Sequence, residues 1–460
     1  MRDRVALTAL AVASLCVPAG AALAAAPAPA AATADEIAAI RSQLQGLIQR
    51  VDRLEQENTS LKTENEELKA QGEYLQAETR GLRKDAATTS TAVGNLRGGE
   101  WASRFALTGD LRYRYEYISD KTTNAAGVQT TADRYRDRIR ARFNATARPT
   151  DTITVGLGLA TTEEAGGQGD PRSSNQTLTS TFSRKPINLD LAFFDWTFSS
   201  WGHFIGGKMR QPFVKGGQSL FWDNDVNPEG LALTFNRGIF FGSAYNFWLN
   251  EVSGAETAFT ADASMAGAQL GARIPVGSST LTLAAHYYDL SAAQLKVPAP
   301  VYNNNANGNT TVNIGTPPQI ALANDYEVID VLAQLNLTLG TLPLQIWVEG
   351  VQNQDPQELE TAYAAGFLLG GAANYRTWEF GANYHYVEKD SLYAQVFDSD
   401  FAGGVTDTEG LVIRAGYAPI RNWVLNATYF LNKRNIDVAN AAGFKDVDYD
   451  RLQLDFNLRF

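Results

Sequence analysis

The chain has 460 residues, 44% of them hydrophobic, and a formal net charge of −11. The hydrophobic fraction is too low for a bundle of membrane helices, and the acidic balance argues against nucleic acid as a partner. The single cysteine, Cys16, excludes a disulfide framework and a cysteine-based metal site.

The first residues have the pattern of a secretory signal peptide. Arg2 and Arg4 precede an apolar run, and the small residues around Leu23 are typical of a cleavage site. We therefore predict a signal peptide over residues 1–26, followed by a linker rich in alanine and proline over residues 27–36. An uncleaved membrane anchor is the alternative, which Pro18 disfavours.

Residues 37–85 repeat apolar side chains every seven residues. Three pairs of opposite charge lie at the flanking g and e positions, namely Arg50 with Glu55, Glu57 with Lys62, and Glu64 with Lys69. The repeat predicts a left-handed coiled coil, and the charge pairs favour parallel helices. We expect this periplasmic segment to join copies of the chain; a single solvated helix or a disordered segment is the alternative. Position d holds Ile40, Leu47, Leu54, Leu61, Leu68, Leu75 and Leu82.

A joint rich in glycine, threonine and serine covers residues 86–100, and polar and apolar residues alternate through residues 101–460. A period of two predicts strands with one apolar and one polar face. Paired phenylalanines at 193–194 and 240–241 interrupt the alternation and suggest β-bulges in the fourth and seventh segments. About sixteen segments begin near residues 105, 134, 152, 188, 203, 229, 239, 266, 280, 325, 342, 361, 377, 408, 423 and 449.

The connections between these segments alternate between short and long. Alternation of this kind indicates consecutive antiparallel hairpins with all short turns at one end, as in outer-membrane barrels. We predict an all-β transmembrane barrel of about sixteen antiparallel strands, preceded by the N-terminal α-helical coiled coil. A lipocalin-like barrel or a sandwich, with the apolar residues inward, is the alternative. The long connections include residues 162–186, 211–228, 291–324, 390–407 and 435–446.

The segment RLQLDFNLRF, residues 451–460, alternates without a break. Its apolar residues are expected to face lipid, and its charged residues to face an aqueous lumen, because a charged row cannot be buried without partners. We expect this strand to close the barrel by pairing with the segment that begins at Phe105.

Four stretches resemble the proteobacterial "putative porin" family: GGKMRQPF (206–213), LFWDNDVNPEGLAL (220–233), YAAGFLLG (363–370) and WEFGANYHYVEKDS (378–391). The resemblance implies a trimeric, sixteen-stranded passive diffusion channel of the Gram-negative outer membrane. Phe456, Leu458 and Phe460 are similar to the C-terminal signal read by the outer-membrane assembly machinery. The expected partners are outer-membrane lipids, that machinery, further copies of the chain and the cell wall.

A row of arginines marks the first two segments of the barrel region. If the two strands are neighbours, these residues form a basic patch on the lumen wall and favour anions. Structural pairing with Asp110, Glu116 and Asp137 is the alternative. The proposed patch consists of Arg112, Arg114, Arg138, Arg140 and Arg142, with Lys208 and Arg210 added from the fifth segment.

The third long connection, residues 211–228, is the segment that general porins fold into the pore. Asp223 and Asp225, with Glu229 just beyond, are the candidate acidic partners of the arginine patch. The spacing of Asp223, Asp225 and Asn227 also resembles the start of a calcium loop, but Pro228 stands where that loop needs glycine. We therefore favour an ordinary loop without metal.

Catalysis has little support in the sequence. The three histidines lie on different predicted strands, and neither a Gly-x-Ser-x-Gly nor a His-Glu-x-x-His motif occurs. We predict no enzymatic activity and no cofactor, but a diffusion channel for small polar solutes with anion preference. The alternatives are a tether to the cell wall through the coiled coil and a channel specific for phosphate or a sugar.

Overall fold

The computed structural model describes residues 34–95, 104–123, 127–163, 169–179, 181–291, 293–439 and 443–460. The predicted signal peptide, most of the linker and part of the joint lie outside these residues. The chain divides into two compact units, one ending at Arg97 and the other beginning at Gly98. Within the described ranges, no helix has the length and apolar content needed to cross a lipid bilayer.

The first unit contains one long helix, α1 (Ala34–Asn95), of 62 residues. At 1.5 Å per residue it is about 93 Å long. Its heptad leucines are open to solvent, with Leu54, Leu61 and Leu68 exposed by 55%, 61% and 59%. The helix confirms the helical part of the prediction, whereas the coiled coil stays a prediction.

The described part of the second unit forms a closed antiparallel barrel of sixteen strands. Each strand pairs with its neighbour in the chain, and the last pairs with the first, from Asp110 opposite Arg459 to Lys121 opposite Asp448. The predicted strand number and closure are confirmed. The strands are β1 (Phe105–Thr123), β2 (Gln129–Ala147), β3 (Ile153–Thr161), β4 (Ile187–Ser199), β5 (Gly202–Lys208), β6 (Glu229–Arg237), β7 (Phe240–Asn250), β8 (Ala263–Val276), β9 (Ser279–Ser291), β10 (Glu327–Leu339), β11 (Leu342–Asn353), β12 (Thr361–Gly370), β13 (Thr377–Val387), β14 (Thr408–Ile420), β15 (Trp423–Arg434) and β16 (Val447–Arg459).

Three short segments accompany the barrel strands. Gln176–Thr177 pairs with β2 beyond the end of β3. Thr311–Ile314 and Gln319–Leu322 form a separate hairpin within a long connection.

The paired phenylalanines do not form bulges. Phe240 is 55% exposed and Phe241 only 4%, because consecutive residues of a regular strand point to opposite faces. The register shifts of β4 and β7 lie elsewhere, opposite Gly158–Leu159 and between Trp248 and Asn250. The polar–apolar alternation is interrupted in these two strands because both of their faces carry large apolar side chains.

The strand β16 shows how the two faces of the barrel differ. Leu454, Phe456 and Leu458 are 38–45% exposed on the outside. Arg451, Gln453 and Asp455 are buried on the inside. The predicted assignment of the two faces is confirmed for these residues.

The interior is not aqueous throughout. Residues 209–228 (loop 3) and 388–407 (loop 7) enter the barrel and pack against large side chains of its inner wall. This side of the lumen is packed because strands such as β7 and β11 carry inward aromatic residues. The resulting apolar cluster includes Met209, Phe221, Trp222, Tyr288, Trp347, Phe397 and Phe401.

Candidate functional site

The arginine row lies on the inner wall where β16, β1 and β2 run side by side. The register places Arg112 opposite Arg140 and Arg114 opposite Arg138, so the predicted neighbours are brought together. Two further arginines, Arg136 and Arg451, join them. We call these seven residues the arginine wall: Arg112, Arg114, Arg136, Arg138, Arg140, Arg142 and Arg451.

Six carboxylates neutralise the arginine wall. Arg114 binds Asp455 at 2.6 Å, and Asp110 accepts from both Arg140 and Arg142 at 2.7 Å. Arg138 binds Glu163 at 3.0 Å, and Arg136 binds Glu116. The side chains of the wall's seven arginines are only 4–25% exposed. The six carboxylates are Asp110, Glu116, Glu163, Asp225, Asp400 and Asp455.

The sequence left open whether the arginines form a free basic patch or pair with Asp110, Glu116 and Asp137. The geometry favours pairing for two of these three acids. Asp110 and Glu116 are bound to arginines, as that alternative requires. Asp137 lies elsewhere and accepts a hydrogen bond from the Tyr113 hydroxyl at 2.6 Å. Seven positive and six negative groups leave the wall close to neutral, so it does not present a row of free cations.

Loop 3 reaches the arginine wall through Asp225. Its carboxylate lies 3.1 Å from Arg142 and 3.9 Å from Arg140. Burial raises the pKa of Asp225, but the charges of Arg140, Arg142 and Arg112 outweigh it and bring the pKa to about 2. Asp225 therefore lies beside the arginines that were predicted as its partners.

The other two predicted acidic partners, Asp223 of loop 3 and Glu229 just beyond it, do not reach the arginine wall. Asp223 accepts from the backbone N–H groups of Asp225 at 2.8 Å and Ser399 at 3.0 Å. Burial and the neighbouring Asp398 carboxylate raise the pKa of Asp223 well above its ordinary value. Glu229 begins β6 and binds Lys208 at 3.1 Å.

The two basic residues predicted from the fifth segment also lie apart from the wall. Lys208 ends β5 and donates to the Asn227 carbonyl at 3.0 Å, besides binding Glu229. Arg210 follows the end of β5 and is exposed.

The calcium-like spacing does not form a cation site. Asp225 is bound to arginines, Asp223 to backbone amides, and the Asn227 amide donates to Asp190 at 2.9 Å. Within the described residues, no group of three or more histidine, cysteine or acidic side chains has a geometry that holds a metal.

The other end of loop 3 is fixed to the opposite inner wall. Gln269 exchanges two hydrogen bonds with the Val214 backbone, at 2.8 and 2.7 Å. The Gly217 N–H donates to Gln334 at 2.8 Å, and the Leu220 N–H donates to His385 at 3.1 Å. Loop 3 therefore spans the lumen. One end contacts β8, β10 and β13, and the other end contacts the arginine wall.

Gly217 shows why loop 3 fits so closely against its wall. It has a φ of +22°, and a Cβ at this position would lie 2.2 Å from the indole of Trp347. Glycine is the residue that tolerates such a close approach. Trp347 is 1% exposed and forms the surface on which the loop lies.

Two of the three histidines are buried in the inner wall opposite the arginine wall. His385 accepts the hydrogen bond from Leu220, and His286 shares one of 2.7 Å with the Tyr245 hydroxyl. These contacts give both histidines a structural role.

The sequence did not reveal loop 7 as part of the site. Its Asp400 binds Arg114 at 2.7 Å and Arg451 at 2.8 Å. Burial raises the pKa of Asp400, but these two arginines outweigh it and hold the pKa well below its ordinary value. The signal for an inward loop was its aromatic content, since Phe397 and Phe401 are unusual in a solvated loop.

A cavity of about 780 Å³ remains between loops 3 and 7, residues 169–174 and 299–303 of two other connections, and the strands β3 to β8. Its lining includes Asp190, Asp225 and Glu229, with Lys208 as a cation and Trp222 and Tyr393 as aromatic residues. Acidic groups therefore outnumber basic ones around the open space.

Three of the solved structures that are similar to this chain illustrate the comparison. OprB of Pseudomonas putida has 15% identity and a TM-score of 0.49, over 80% of this chain and 97% of that chain. OmpT of Vibrio cholerae has 10% identity and a TM-score of 0.42, over 77% of this chain and 97% of that chain. A triple mutant of the Rhodopseudomonas blastica porin has 11% identity and a TM-score of 0.42, over 77% of this chain and 100% of that chain.

No curated protein sequence matches the chain. The family model described as "Putative porin" matches residues 117–337 and 326–460, which include every barrel strand except the beginning of β1. By this match the chain belongs to that porin family.

Proposed function

We propose that this protein is a passive diffusion channel for small polar solutes in the outer membrane. The observation that carries the proposal is a closed barrel crossed by loop 3, with a cavity of about 780 Å³ beside the loop. We expect solutes to pass along this cavity, because apolar side chains cluster under loops 3 and 7 and paired charges line the arginine wall.

The charge balance argues against the anion preference expected from the arginine row. Each arginine of the wall has a carboxylate partner within 4 Å. Among the acids that line the cavity, Asp225 and Glu229 are paired with basic side chains, whereas Asp190 is bound by the Asn227 amide, and local charge governs ion preference in a pore. We therefore infer a weak preference for cations.

Planar-bilayer recording of the purified protein tests both statements. We expect discrete conductance steps and, in a KCl gradient, a reversal potential on the cation side. Asp190→Asn should move that potential towards zero, because Asp190 lines the cavity. Asp151→Asn, in the short turn after β2, serves as the matched control.

Three results would contradict the proposal in different ways. A lack of steps would exclude the channel, and an anion-side reversal potential would exclude the cation preference. Saturable block by phosphate or a sugar would instead favour a substrate-specific channel.

We further propose that α1 joins copies of the chain as a parallel coiled coil. The exposed leucines of the heptad supply the apolar seam, and the g-to-e charge pairs supply the orientation. Outer-membrane assembly through Phe456, Leu458 and Phe460 and a trimeric state stay predictions.

Replacing Leu54 and Leu61 by aspartate is expected to weaken this association strongly. Each apolar side chain removed from a seam loses about 2 kcal/mol of burial, and the charge adds a desolvation penalty. Native mass spectrometry in detergent should show smaller assemblies. Gln56→Asp with Thr63→Asp, at outward heptad positions, should leave the assembly unchanged. An unchanged assembly in the leucine variant would favour another role for the rod, such as a tether.

A further inference from the structure

Loops 3 and 7 are joined to each other inside the barrel. The Asp223 N–H donates to the Val396 carbonyl at 2.6 Å, and the Asp398 N–H donates to the Leu220 carbonyl at 3.0 Å. The Asp223 carboxylate also accepts from the Ser399 N–H at 3.0 Å. Backbone bonds in both directions make the two loops one body across the lumen.

One end of loop 7 is bound to the arginine wall through Asp400. Its two carboxylate oxygens accept from different arginines, Arg114 at 2.7 Å and Arg451 at 2.8 Å. The side chains of these arginines are 5% and 4% exposed. Charge-assisted bonds between buried partners are the stronger class of hydrogen bond, so this contact fixes the position of the loop.

A second contact, between uncharged groups, also holds loop 7. The Ala402 N–H donates to the Asn432 side chain of β15 at 3.1 Å. Phe397 and Phe401 on either side of Asp400 are fully buried against the inner wall. Loop 7 also borders the open cavity, where Tyr393 and Val396 belong to the lining.

We propose that loop 7 is a second constriction element, which Asp400 and Asn432 hold in place so that loops 3 and 7 together set the size of the opening. This inference rests on the proposed channel function. Release of either contact lets loop 7 move away from the cavity, which widens the opening towards the size that loop 3 alone would leave.

The test compares Asp400→Asn and Asn432→Ala with the unchanged protein in planar bilayers at 1 M KCl. At this salt concentration the Debye length is about 3 Å, so the charge change of Asp400→Asn has little direct effect on the current. Asn432→Ala changes no charge at all. Asp151→Asn in the turn after β2 is the charge-matched control, and heat-modifiable migration on gels verifies the folded barrel.

We expect both variants to raise the conductance about twofold and to add current fluctuations, because current follows the open width of a pore. Both should also admit larger sugars in liposome swelling, while the control behaves as the unchanged protein. Each variant releases a different contact, so the same change in both points to the position of loop 7 and not to one side chain. Conductance and size limit equal to the control would overturn the role of loop 7 while the channel stands. An unchanged protein without conductance steps would refute the channel itself.

Discussion

Replacing both Arg140 and Arg142 by serine is expected to lower the stability of the barrel and to release loop 3 from the arginine wall. Asp110 is bound by both arginines at 2.7 Å, and Asp225 by Arg142 at 3.1 Å. The variant leaves two mostly buried carboxylates without these partners. Removing one partner of a buried ion pair costs about 3–5 kcal/mol. The melting temperature of the barrel in detergent should therefore fall clearly.

The same variant should also move the reversal potential further to the cation side, because two positive charges leave the lumen. Arg148→Ser with Arg421→Ser removes the same charge near the short turns, where both side chains are exposed. This control should preserve the melting temperature. A shift of the reversal potential without loss of stability would mean that the arginines act on ions as unpaired charges and are not structural ion pairs.

Replacement by lysine separates charge from geometry. Arg140→Lys with Arg142→Lys keeps both charges but loses the planar guanidinium that contacts two carboxylates at once. We expect an intermediate melting temperature for this variant, with a reversal potential close to that of the unchanged protein.

Trp347→Ala is expected to lower the stability of the barrel by a similar amount. Trp347 lies on the inner wall opposite the arginine wall. The indole is 1% exposed and lies under the backbone of Gly216 and Gly217 in loop 3. Truncation of a buried tryptophan to alanine costs about 3–5 kcal/mol, because a cavity remains where the ring was. Loop 3 loses the surface it lies on, so the melting temperature should fall and the conductance should rise and fluctuate.

The matched control for this substitution is Trp378→Ala. Trp378 is 44% exposed on the outer face of β13, whereas loop 3 lies on the inner side of the barrel. We expect little change of conductance there, and partial recovery of both properties in Trp347→Phe. Equal melting temperatures and conductances for the two alanine variants would show that Trp347 does not position loop 3.

Much of the candidate site could be predicted from local patterns. The alternation in β1 and β2 placed their arginines on one face, and adjacency in the chain made the two strands neighbours. Asp225 followed from the position of its loop. The pairing of Asp110 with two arginines was open in the sequence, because a carboxylate on the same face can pair with an arginine or bind water.

Contacts between distant segments escaped prediction. Asp400 lies 286 residues from Arg114 along the chain, and their contact exists only once the barrel has closed. The inward position of loop 7 follows from the packing of Phe397 and Phe401 against side chains of other strands. A single sequence holds no periodic signal for such a contact, since a loop has no regular face.

The sequence by itself determined the long helix, the sixteen strands and the face on which each β16 side chain lies. These features repeat every seven or two residues, so local periodicity suffices to encode them. Only the tertiary structure decided which charges are neutralised, which part of the lumen is packed and which loops narrow it. Those properties depend on side chains brought together by barrel closure, and their free energies are set by burial and distance and not by position in the chain.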